Sequence, residues 1–308
     1  MTTNIFTDAE QALFDNLPGP PEEAIIKTTN IWIIEWLPSG DLRTGKLLHE
    51  WMQSQRPGWS AYFKCESKQD VLSAIERARD LAENSKMNPV LHIEAHGNEN
   101  GLGRQYASGH VEFLKWNEIT NSLQKLNLVT RCNLVVVVAA CIGFAGIKAL
   151  VQGPRAPAVA LVGPDASIMS DNLLSATKEF YSCWMNPDPR LRDLVFTASR
   201  VAGQASFEWE PFAVLAFDSL AGLLIVSMRE DQQRRQMNRI RQKMLEETNL
   251  SPVEIKYRLS NFTPYDRARL VQKIWDEMFM IDLYPENKER FGVNWSEIVE
   301  RILRSQEK

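Results

Sequence analysis

The chain has 308 residues, 44% of them hydrophobic and 24% charged, with a formal net charge of −4. That length and apolar content suffice to bury a sizeable core, as one large domain or a domain with an appendage. The acidic balance argues against a protein that holds nucleic acid by neutralising phosphates across its surface, and four cysteines without the close, even spacing of a stapled secreted domain fit a reducing, cytoplasmic setting.

Residues 1–10 show no basic start followed by an apolar stretch, so no signal peptide is expected. Thr7-Asp8-Ala9-Glu10 has capping-box spacing and predicts a short helix up to Asn16, broken by Leu17-Pro18-Gly19-Pro20-Pro21. Residues 1–29 therefore read as an arm. From Asn30, short apolar runs alternate with helical periodicity: a strand over 31–36, a turn at Pro38-Ser39-Gly40-Asp41, a helix over 44–54 and a strand over 60–64. A helix from Lys68 follows, capped by Ser67, with Val71, Leu72, Ile75 and Leu81 on one face. The third strand, 90–95, runs into a glycine-rich loop and then a helix whose Trp116, Ile119, Leu123 and Leu126 make one apolar stripe.

The fourth strand, 134–140, is apolar on both faces, as a central parallel strand covered by helices must be. A helix after Cys141, a strand over 158–162, helices over 173–184 and 191–201, and a sixth strand over 212–217 complete the alternation. The pattern implies an α/β fold with a mostly parallel sheet. The longest apolar run, 212–228, is barely of spanning length and carries Asp218 near its centre. Because an acid in mid-membrane costs roughly 2.5–3.5 kcal/mol, the run reads as protein core and no membrane span is expected. Beyond 218 the chain reads as helical. Met237, Ile240, Met244 and Leu245 mark one amphipathic stretch, Ser251-Pro252-Val253-Glu254 and Thr263-Pro264-Tyr265-Asp266 are helix starts, and Asn294 caps the last helix. Residues 219–308 are expected to form a helical appendage to a domain over 30–218.

The reactive side chains gather where two of these strands end. In open α/β sheets ligands bind beyond the carboxyl ends of the strands, and His96 and Cys141 both occupy that position. The 45-residue separation (141 − 96) leaves room for one crossover helix, so the two strands can be neighbours. An imidazole and a helix start beside the cysteine favour the thiolate that attacks a carbonyl. Gly97 offers an unobstructed amide that, with the amide of Cys141, can stabilise an oxyanion. Ala139 and Ala140 are small and leave space beside the thiol. A cysteine after four valines is also what a buried structural cysteine looks like; the joint order of His-Gly, crossover helix, apolar strand and Cys-Ile-Gly points to catalysis.

These segments resemble a family. His96-Gly97-Asn98-Glu99-Asn100-Gly101-Leu102, followed by Val135-Val136-Val137-Val138-Ala139-Ala140-Cys141-Ile142-Gly143, is similar to the His-Gly and Ala-Cys signatures of caspase-like cysteine peptidases, closest to their bacterial CHAT branch. The likeness runs on through Ala158-Val159-Ala160-Leu161-Val162-Gly163, Glu179-Phe180-Tyr181 and Trp209-Glu210-Pro211-Phe212-Ala213-Val214-Leu215, and so covers residues 30–218. It implies a caspase-like α/β/α sandwich with about six strands and endopeptidase activity through a His96/Cys141 dyad, with no cofactor and no metal. It further implies a protein or peptide substrate and a regulated role in bacterial defence or cell death, with a regulatory protein partner acting through the C-terminal helices.

The chain departs from the family at one informative place. Caspases carry Gln two residues before the nucleophile and metacaspases Asp, where this chain has Ala139, so a preference for an acidic or basic residue before the scissile bond is not inherited there. Arg43, after the first strand, stands where caspases bind substrate aspartate; Asp165, after the fifth, can instead attract a basic side chain. For Arg43 a solvent-facing arginine at a helix start is the favoured reading, and Asp165 is equally explained as a loop or capping acid. Two readings from other classes stay open: a catalytically silent interaction module on the same fold, and a metal hydrolase at His92, Glu94 and His96, which share one strand face. Cys65, Cys132 and Cys183 read as structural, His110 as uninformative, and Arg234, Arg235, Arg239, Arg241 and Lys243 as a solvated basic face rather than a nucleic-acid site.

Overall fold

A computed structural model describes residues 6–20, 28–146, 153–185, 190–228, 242 and 263–306. Its strands are β1 (Asn30–Trp36), β2 (Ser60–Lys64), β3 (Pro89–Asn98), β4 (Gly101–Gln105), β5 (Val111–Lys115), β6 (Val135–Ala139), β7 (Ala160–Pro164) and β8 (Phe207–Pro211). They form one sheet in the order β2-β1-β3-β6-β7-β8, with β4 and β5 attached beyond β3. The pairs from β2 to β7 are parallel, while β8 and the β3-β4-β5 ribbon pair antiparallel.

The helices are α1 (Asp8–Phe14), α2 (Thr44–Gln55), α3 (Lys68–Ser85), α4 (Trp116–Val129), α5 (Ser170–Trp184), α6 (Leu191–Ser199), α7 (Phe212–Ser227), α8 (Pro264–Met278), α9 (Lys288–Phe291) and α10 (Trp295–Gln306). Several starts are set by local chemistry. Thr7, Ser67 and Thr263 each accept from the third backbone N–H of their helix, while the acid there bonds back to the cap amide. Asn294 caps α10 by accepting from the Glu297 amide at 3.3 Å.

Both faces of the sheet are covered, as the apolar run of β6 requires. On one side Leu48 and Met52 of α2, Phe180 and Tyr181 of α5 and Leu194 of α6 pack on Ile33, Val135 and Val137. On the other, Val71 and Ile75 of α3, Ile119 and Leu123 of α4 and Phe217 of α7 pack with Ile34, Leu91, Val136 and Val138. That second core also contains Trp275 and Phe279, from α8 and the turn after it, and Trp295 and Ile298 of α10. The described C-terminal helices thus share the core of the sheet, and α7 runs straight through residue 218, where the sequence suggested a boundary.

Two expected elements differ. The glycine-rich segment after the third strand is a β-ribbon: β3 continues to Asn98 and turns back as β4, with His96 opposite Gly103. Gly97 and Gly101 serve close approach, since a Cβ on Gly101 would lie 2.3 Å from the Leu114 carbonyl oxygen. The sixth strand lies earlier than expected, at Phe207–Pro211, where Phe207 and Trp209 alternate with Glu208 and Glu210 and face the core. Phe212–Ser227 is a helix instead, since a run apolar on all sides has no diagnostic period and its length favours helix. The described residues just after Cys141 form a 3-10 turn, Gly143–Gly146, and the rest of the segment in which a helix is expected lies outside the described residues.

The expected amphipathic stretch at Met237, Ile240, Met244 and Leu245, the helix start at Ser251 and the basic face of Arg234, Arg235, Arg239, Arg241 and Lys243 lie outside the described residues. Among the described residues no helix is long and apolar enough to cross a membrane.

Candidate functional site

The carboxyl ends of β1, β3 and β6 lie side by side, and their register sets the site. Glu35 pairs with Glu94, which pairs with Ala139, so these three residues form one row across the sheet. Beyond that row, His96 follows on β3 and Cys141 stands in the turn just after β6, and both line one cleft. Gly97 fixes how closely the two segments meet. A Cβ there would lie 2.6 Å from the Cys141 carbonyl oxygen and 2.9 Å from the Ala140 Cβ, so only glycine fits between the histidine segment and the cysteine backbone.

Cys141 sits on a tight turn at the end of β6. Ile142 takes a left-handed φ of 55°, a costly conformation for a β-branched residue. Its N–H donates to the Ala166 carbonyl at 3.1 Å. The turn folds back hard enough that a Cβ on Gly143 would lie 2.4 Å from the Val138 carbonyl oxygen. The Cys-Ile-Gly sequence thus has a steric cause. The Cys141 thiol is partly exposed and lies 3.7 Å from the Ile168 carbonyl oxygen.

His96 and Cys141 line one small cleft of about 50 Å³, together with Asp41, Thr44, Ala139 and Ile168. His96 is more than half exposed and donates its Nε2–H to Asp41 Oδ2 at 2.6 Å. Sequence reading placed Asp41 only in a turn. Its signal was an acid just beyond the carboxyl end of a strand, which acquires meaning once β1 and β3 are known to be neighbours.

Beneath the cleft runs a buried polar chain. His92 and Glu94 are fully buried. His92 donates Nε2–H to Glu94 Oε1 at 3.0 Å and accepts at Nδ1 from the Tyr181 hydroxyl at 3.0 Å. Burial first, and the Glu94 charge second, push the Tyr181 hydroxyl well above its ordinary pKa, which keeps it a donor. The Thr44 hydroxyl donates to the other Glu94 oxygen. His92 and Glu94 are thereby satisfied by protein groups, and His96 turns away to Asp41. Among the described residues no group of three His, Cys, Asp or Glu side chains is arranged to hold a metal ion.

Arg43 does not line the cleft. Its guanidinium bonds to Glu35 and to the Tyr62 hydroxyl, which neutralises a carboxylate that is 1% exposed and also accepts from the Lys46 amide at 2.8 Å. Asp165 is likewise occupied elsewhere: it accepts from the Ser206 amide at 2.9 Å and ties the end of β7 to the start of β8. Cys65 and Cys132 are buried. Burial first, then the charges of Asp70 and Glu66, pushes the Cys65 thiol up to about 12, and burial pushes Cys132 up to about 11. Cys183 is partly buried beside the Tyr181 side of the core, and His110 stacks on Tyr106 at 5.8 Å.

The arrangement supplies a thiol, an imidazole and a carboxylate around one opening at the carboxyl edge of the sheet. No protein-family model matches the chain, and no curated protein is detectably similar to it.

Proposed function

We propose that the protein is a cytoplasmic, caspase-like cysteine endopeptidase, on a caspase-type α/β/α sandwich, that serves as a regulated effector in bacterial defence or cell death. The observation that carries the activity is that His96 and Cys141 line one cleft with Asp41, which bonds Nε2 of the imidazole. With Nε2 held by Asp41, Nδ1 of His96 is left for the thiol. It takes the proton from Cys141 Sγ, and the thiolate adds to the scissile carbonyl carbon.

The amides of Gly97 and Cys141 stabilise the resulting oxyanion. Collapse breaks the C–N bond, the amine leaves with the proton carried by His96, and an acyl-thioester remains. Water, deprotonated by His96, then adds to the thioester, and the thiol is regenerated as the carboxylic acid departs. Control by a protein partner through the C-terminal helices belongs to the same proposal. Leu270 and Ile274, one turn apart on α8 and 52% and 38% exposed, are apolar side chains there that a partner would cover.

The test is digestion of a peptide library by the wild-type protein beside Cys141→Ala and His96→Ala. Cleavage lost in both variants supports the reading. Absence of cleavage by the wild type, with Cys141 no more reactive than the other cysteines, would leave the fold as an interaction module.

A further inference from the structure

We infer that the cleft beside Cys141 accepts a small, uncharged side chain immediately before the scissile bond, an inference that rests on the peptidase reading above. Ala139, the last residue of β6 and two residues before the nucleophile, lines the cleft together with Cys141 and brings only a methyl group to it. The remaining wall is largely apolar, from Leu37, Ala95, Ile168 and Leu173, with the Thr44 and Ser170 hydroxyls as neutral polar groups. A volume of about 50 Å³ holds about three to five water-sized groups at about 10–15 Å³ each, which suits alanine, serine or valine, is nearly filled by leucine and leaves no room for arginine.

Charge excludes the alternatives independently of size. Among the described residues, the charged groups of the lining are Asp41 and His96, and they are bonded to each other at 2.6 Å. An acidic side chain would need a cation. Arg43, the candidate for that task, is committed to Glu35 and Tyr62 and stands outside the lining. A basic side chain would need a carboxylate. Glu94 is fully buried with its two oxygens held by His92 and Thr44, and Asp165 is held by the Ser206 amide outside the lining. Placing an unpaired charge in such a space is strongly unfavourable, whereas a methyl or hydroxymethyl group leaves every existing hydrogen bond in place. Leu42, also in the lining and 41% exposed, offers an apolar contact to a neighbouring residue of an extended peptide.

The experiment uses the full chain and a set of peptidyl acyloxymethyl ketones identical except for a final residue of Ala, Leu, Asp or Arg. The rate of thioether formation at Cys141 is read by mass spectrometry and peptide mapping. The Ala probe is expected to react about tenfold or more faster than the Asp and Arg probes, and faster than Leu. Leu173→Ala, which widens the wall, is expected to narrow or reverse the Ala-over-Leu preference; if that variant does not fold, the wild-type series decides alone. Fastest labelling by Asp or Arg, or equal rates for all four, abolished in His96→Ala, overturns the small-residue cleft and leaves the peptidase reading intact. No His96-dependent labelling by any probe overturns both.

Discussion

Asp41 is the residue whose role depends most on the fold. If it orients the imidazole of His96, Asp41→Asn should lower kcat about tenfold or more while leaving KM unchanged. The loss should stay below the roughly 10⁴-fold seen when a buried triad aspartate is neutralised, because this pair is open to solvent. Partial rescue by Asp41→Glu is expected, and a rise in KM at constant kcat would instead give Asp41 a substrate-contact role. The cysteines supply a second test at this scale. Cys65 and Cys132 are buried and kept protonated far above neutral pH, so iodoacetamide near pH 7 should modify Cys141 ahead of them, and the modification should slow in His96→Ala. Uniform, slow labelling of all the cysteines would remove the case for an activated thiol. His96, Gly97 and Cys141 were legible in the sequence because each is tied to the end of an apolar strand. Asp41 was not, since an acid in a turn is explained equally well by the turn.

At the scale of the element, β3 carries two kinds of chemistry on one face, the exposed His96 and the buried His92 and Glu94. Removing one member of a buried ionisable pair strands its partner, so His92→Leu should cost about 3–5 kcal/mol in urea unfolding. The double variant His92→Leu with Glu94→Leu should cost less than the sum of the single changes, because neither then leaves the other unpaired. Additive losses would mean that the two groups are not coupled. The end of the same strand gives another expectation. Gly97→Ala sets a methyl group against the Cys141 backbone and should destabilise by about 1–3 kcal/mol and depress activity, measurable by thermal unfolding and peptide cleavage. The ribbon beyond β3 escaped sequence reading because Gly97, Gly101 and Gly103 look like loop residues. In fact Gly97 and Gly101 are small because backbone from Cys141 and Leu114 passes within contact.

For the whole molecule, the decisive feature is that the described C-terminal helices lie in the core. Trp275 and Trp295 are fully buried with ring centroids 5.6 Å apart, and the Trp275 indole N–H donates to the Phe291 carbonyl at 2.7 Å. Burying side chains of this size contributes several kcal/mol in all, at roughly 25 cal/mol per Å² of apolar surface. A chain ending at residue 262 should therefore lose cooperative unfolding and become sensitive to limited proteolysis across the sheet. A truncated protein that melts like the full chain would show that residues 263–306 are dispensable to the core. Regulation through this region is better tested with surface changes such as Leu270→Asp and Ile274→Asp, which leave the buried tryptophans in place.

Sequence alone determined what depends on neighbours within a turn or two: the alternation of strands and helices, the caps at Thr7, Ser67, Thr263 and Asn294, and the siting of His96 and Cys141 at strand ends. Hydrophobic period and capping act over a few residues, so the chain displays them openly. Tertiary structure decided which strands became neighbours, and with that Asp41 came to face His96, Arg43 was drawn to buried Glu35, and the last helices entered the core. Those outcomes depend on contacts between residues far apart in the chain, which no local pattern records.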